Sequence, residues 1–81
     1  MIEAMPNMKD GILRALRCKL HADISTYDVN LENLLQNSVG IGEHSNITAE
    51  AEGWVKKIGE AQEAISVINA KLGKTNEGSG T

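Results

Sequence analysis

Glu43 stands beside His44, and Glu60 and Glu63 form a Glu-x-x-Glu pair; in this 81-residue chain these are the side chains best suited to metal or acid–base chemistry. A metal site ordinarily takes three or four protein ligands, and the sequence around Glu43 and His44 supplies no others. His44 therefore reads as a hydrogen bonder that orders its own loop. Gly40 and Gly42 permit positive φ and leave backbone N–H groups uncovered. The helix start expected at Ser45 to Thr48 would add unpaired N–H donors and a positive dipole end, together a cradle for phosphate or carboxylate. Against that cradle, Gly-Ile-Gly is only a fragment of a dinucleotide or phosphate-loop signature, no strand precedes it, and Glu43 adds negative charge. A tight hairpin turn whose side chains cap the helices fits the residues better.

The remaining chemical fragments are also incomplete. The Glu60/Glu63 spacing is that of all-helical nucleotide pyrophosphohydrolases that bind magnesium, which need a second carboxylate pair on a facing helix. Asp23, Asp28 and Glu32 do not repeat the spacing, so Glu60 and Glu63 read as surface carboxylates. Gly73-Lys74-Thr75 resembles the end of a phosphate loop, but Ile68 stands where its first glycine belongs. Cys18 and His21 are three residues apart without a third partner, and His21 is too far along the chain from His44 to share a site. No catalytic set, cofactor site or metal site is expected; Glu43, His44, Glu60 and Glu63 are the candidate ligands of an alternative, metal- or small-ligand-dependent function.

The elements that position these residues are legible as helices. From Asn7, a candidate N-cap, apolar residues recur at Leu13, Leu16, Leu20, Ile24, Tyr27, Leu31 and Leu34 in steps of three or four. The second run, Ile47, Ala51, Trp54, Ile58, Ala61, Ile65, Ile68 and Leu72, alternates steps of four and three throughout, a heptad seam. Ser45 or Asn46 is the candidate cap for the second run, and Gly73 the candidate C-cap. The expected organisation is a flexible lead-in over 1–6 and a single domain over 7–72. Within it lie helix 1 at about 8–36, a loop at 37–46 and helix 2 at about 47–72, followed by a disordered tail over 73–81. The fold class is all-α: an antiparallel, coiled-coil-like two-helix hairpin.

Composition agrees. Hydrophobic residues make up 41% of the chain, aromatics only 2%, with no Phe, which suits helices over sheets. A formal charge of −3 argues against nucleic acid and anionic membranes, and Lys9, Arg14, Arg17 and Lys19 read as a solvated face. Acidic excess is too mild for a DNA mimic. Cys18, the only cysteine, forbids an internal disulfide and suits a reducing compartment. Residues 1–10 do not read as a signal peptide and no run suits a membrane span, so a cytoplasmic location is expected and the Asn46-Ile-Thr48 sequon reads as accidental.

A two-helix hairpin buries one stripe per helix, yet apolar residues also lie off the stripes. Self-association as a dimer or tetramer, forming a four-helix bundle, is the economical way to cover them. Val29, Leu35, Trp54, Val55, Ile58 and Val67 are the candidate interface, and close backbone approach is one reading of Gly53 and Gly59. Val39, Gly40, Ile41, Gly42, Glu43 and His44 would then form an exposed tip for an unidentified protein partner.

Residues Gln36 to Ile47, followed by an acidic, Ala-rich helix, resemble a group of small proteins of tailed, myovirus-type bacteriophages, including those of marine cyanobacteria. The resemblance spans roughly residues 9–72 and rests mainly on the hexapeptide Val39 to His44. It implies a helical hairpin, a phage origin and a place in the host cytoplasm. It implies no activity and no catalytic residue.

Overall fold

The structure, a computed structural model, describes residues 8–37 and 44–75. They form two helices, α1 (Met8–Asn37) and α2 (His44–Thr75). The only proline is Pro6, so nothing in either segment breaks the i→i−4 ladder, and 30 and 32 residues give rods of about 45 and 48 Å. Residues 38–43 join them, and the rods run antiparallel: Arg17 meets Asn69 near the free ends, and Tyr27 meets Trp54 nearer the connection.

The seam of α2 matches its heptad pattern. From Asn46 to Gly73, all eight seam residues are buried or half-buried, and Ala64 is the one other position that is not exposed. In α1 the half-buried positions include Asp10, Leu13, Arg17, Leu20, Ile24, Tyr27, Leu31 and Leu34, in alternating steps of three and four. Arg17 thus holds the place expected for Leu16, which is 43% exposed. The physical reason is strict heptad register: a step from Leu13 to Leu16 and then four to Leu20 rotates Leu16 off the contact line, whereas Arg17 stays on it. The Arg17 stem lies along the seam and its Nη1 donates to Asn69 Oδ1 at 2.6 Å.

Helix bounds also differ from expectation. α2 begins at His44, three residues before Ile47, so Ser45 and Asn46 lie inside the helix instead of capping it. It continues through Gly73 to Thr75, so Gly73 does not end it. Asn7 and the tail beyond Thr75 lie outside the described residues.

Burial is thin. Only Ala61 (6%), Ile65 (8%) and Ile68 (4%) count as buried among the described residues, all on α2, and α1 has none. Along its thinnest axis the molecule measures 13 Å, so a seam side chain has packing on one side and water close on the others. A Cβ added at Gly53 or Gly59 would meet nothing within 4 Å, so neither glycine serves an approach between α1 and α2.

Candidate interaction surface

Val39, Gly40, Ile41, Gly42 and Glu43 lie outside the described residues; His44 opens α2. Glu60 follows His44 by sixteen positions, about 24 Å along the axis, so the alternative ligand set is not brought together. Among the described residues no group of three or more His, Cys, Asp or Glu is placed to hold a metal ion. His21 and Cys18 are both exposed on α1, with His21 about 24 Å from that helix's end.

What the helices do assemble is a grooved face along one side of the hairpin. At the free ends Leu13, Leu16, Leu20, Ala64, Val67 and Ile68 line a groove of about 320 Å³. Its lining is entirely apolar, Lys71 contributing only its aliphatic stem. A second groove shares Leu20 and Ala64 and continues past Asp23, Tyr27, Lys57 and Glu60. A third, toward the connection, is lined by Asn30, Asn33, Leu34, Asn37, Glu50 and Trp54. Leu16, Asp23, Asn30 and Asn37 recur every seven residues, which keeps them on one side of α1. The face therefore passes from apolar through charged to amide-rich.

Aromatic and charged contacts meet at its middle. The Tyr27 and Trp54 rings are 5.9 Å apart at 37°, joining the helices across the seam. The Lys57 ammonium sits 5.8 Å from the Tyr27 ring centre and 5.9 Å from that of Trp54, within cation–π range of both. Lys19 Nζ donates to Asp23 Oδ2 at 2.6 Å. That hydrogen bond, with the carboxylate's charge, holds Lys19 above the ordinary lysine value of 10.5. Nearer the connection, Asn37 Nδ2 donates to Asn33 Oδ1 at 2.7 Å, and on α2 Lys56 pairs with Glu52 at 3.2 Å.

The six interface candidates are scattered over this architecture. Trp54 and Ile58 are half-buried in the seam between α1 and α2, so their apolar surface is already engaged within the chain. Val29 lies midway between the seam residues Tyr27 and Leu31 and points away from α2. Val67 is on the grooved face, whereas Leu35 and Val55, each one residue after a seam position, lie on the opposite broad face of the antiparallel pair. No single face carries them all. Ile12 and Leu16 belong with Val67 and were not among the expected interface residues; strict alternation of three and four would have marked Leu16 as surface. Lys57, three residues after Trp54, was equally readable as a partner for its ring.

Charge is divided lengthwise. Residues 8–22 and 62–73, the free-end half, carry Lys9, Arg14, Arg17, Lys19 and Lys71 against Asp10 and Glu63, a formal +3. Residues 23–37 and 46–61, the half nearer the connection, carry Asp23, Asp28, Glu32, Glu50, Glu52 and Glu60 against Lys56 and Lys57, a formal −4. No helix among the described residues is long and apolar enough to cross a membrane. Comparison with protein-family models, with curated proteins and with solved structures finds no match.

Proposed function

We propose that this chain is a non-catalytic interaction protein: a helical hairpin that self-associates into a four-helix bundle and offers Val39 to His44 at the bundle ends to another protein. The observation that carries this is the imbalance between buried and exposed apolar groups. Among the described residues three are buried, while Met8, Ile12, Leu16, Val29, Leu35, Val55 and Val67 remain between 43% and 65% exposed. A large apolar side chain gains about 1.5–3 kcal/mol on full burial, so covering these partly exposed side chains would add to what the thin seam contributes. The free thiol of Cys18 supports a reducing compartment, and the resemblance of Val39 to His44 supports a phage origin with a place in the host cytoplasm.

Sedimentation velocity from low to high micromolar concentration tests the first part: a dimer or larger species is expected, and a monomer throughout sinks it. The second part is tested by affinity capture from source lysate with Gly40, Gly42 and His44 substituted together. Loss of a specific partner with unchanged oligomer size is the expected result; an unchanged partner set removes the loop from the function.

A further inference from the structure

We propose that the amide-rich groove near the connection is a binding site for a neutral saccharide of about two rings, seated against Trp54 and hydrogen-bonded by the asparagines of α1. This goes beyond the self-association reading above and does not depend on it.

The floor and the rim of this groove differ in chemistry. Asn30, Leu34 and Trp54 are half-buried and form the floor, whereas Asn33, Asn37 and Glu50 are exposed and stand at the rim. On α1 the three asparagines follow one another at steps of three and four, which keeps them on one side of the helix over about 10 Å. Glu50 and Trp54 are four residues apart on α2 and so share the facing side. The volume, about 340 Å³, falls at the lower end of the range for small-molecule sites.

Trp54 is held in place before any ligand arrives. Its ring centre is 5.9 Å from that of Tyr27 and 5.9 Å from the Lys57 ammonium. A platform already held loses little side-chain freedom on binding. Asn37 Nδ2 donates to Asn33 Oδ1 at 2.7 Å, which ties these two amides together, and each retains further donor and acceptor capacity. A sugar ring matches this set. Its C–H face suits the indole and Leu34, and its hydroxyls, donors and acceptors at once, suit amides that are both.

The surroundings disfavour other ligands. The half of the hairpin nearer the connection carries a formal −4, so phosphate, sulfate and carboxylate groups are repelled. A metal ion finds one carboxylate in this groove, and no group of three ligands among the described residues. An organic cation would satisfy Glu50 but leave amide N–H groups against its C–H surface. A nucleobase carries its polar atoms along short edges in one plane, whereas these amides are spread over about 10 Å. Two linked sugar rings span that length. Because the groove is open on one side, a dissociation constant on the order of 1 mM is expected.

Trp54 is the only tryptophan, so its fluorescence reports on the groove directly. The test is a titration of the full chain with cellobiose, maltose and N,N′-diacetylchitobiose, with sorbitol as the acyclic control and adenosine as the flat one. A saturable change in Trp54 emission with at least one disaccharide, and none with sorbitol, is expected. Asn30→Ala with Asn37→Ala, both favourable to helix, should weaken that binding about tenfold with helicity unchanged by circular dichroism. Glu50→Ala should weaken it several-fold, and Leu16→Ala, at the free ends, should leave it unchanged. No saturable change with any of the three disaccharides overturns the proposal, as does saturation that survives the Asn30/Asn37 substitutions. Saturation by adenosine alone would assign the groove to a flat base and overturns it as well.

Discussion

Replacing Gly53 and Gly59 by alanine is expected to stabilise the hairpin. Glycine in a helix interior is about 1 kcal/mol less favourable than alanine, because its unfolded backbone is freer and its folded backbone is left bare. That gain is realised only if the new methyl group finds room and the backbone stays helical. Both conditions hold: a Cβ at either position meets nothing within 4 Å, and both residues lie inside α2. The two are six residues apart, about 9 Å along the axis, with no shared neighbour, so their effects add to about 2 kcal/mol. For a domain of this size each kcal/mol moves Tm by about 4–8 °C, so the double variant should melt about 10 °C higher. The assay is thermal unfolding followed by helical circular dichroism at one fixed protein concentration, since association couples to stability. An unchanged or lowered Tm refutes the reasoning. A lowered one would mean that another backbone packs against these glycines from outside the hairpin.

Other outcomes follow from single contacts. Ile68→Ala, at the most buried position, should cost about 2–4 kcal/mol, and Leu16→Ala in dilute monomer less than about 1, in denaturant titrations; equal losses would restore Leu16 to the seam. Arg17→Ala and Asn69→Ala should each cost about 0.5–1.5 kcal/mol, and a double-mutant cycle should show them coupled; additivity would mean the 2.6 Å hydrogen bond contributes nothing. Lys19 has its folded value raised, so its contribution is fully present below the ordinary lysine value of 10.5 and lost as pH rises through the folded value. Lys19→Met should therefore show a shallower fall in urea midpoint between pH 10 and 12 than the native chain, and an identical profile would refute the pairing.

The hairpin was legible in the sequence because its seams are set by periodicity, which survives local noise. Every seam residue expected for α2, from Ile47 to Leu72, is buried or half-buried. In α1 the same logic misplaced one residue, because hydrophobicity favoured Leu16 where register demanded Arg17. A long amphipathic side chain can occupy a seam position while its charge escapes to Asn69, and composition alone does not reveal that. The helix ends were less legible. Ser45, Asn46 and Gly73 have capping chemistry, but their neighbours continue the helix past them, and local preferences of about 1 kcal/mol yield to that continuation. The interface residues were chosen by being apolar and off the seam; sorting them by face requires knowing how the helices are rolled against each other. The loop from Val39 to Glu43 lies outside the described residues.

The position of the buried residues has a consequence for how the chain folds. Ala61 sits at the middle of α2 and Ile65 and Ile68 toward the free ends, with Ile68 beside α1 residues some fifty positions earlier in the chain. Zipping from the connection outward first brings together the half-buried, amide-rich part, and gains little until the last turns close. The contacts with the largest reward are those of the greatest sequence separation, and loop-closure entropy opposes them until then. For an all-helical hairpin this implies slower closure than its short connection suggests. It also places the slowest-exchanging amides on α2 between Ala61 and Ile68.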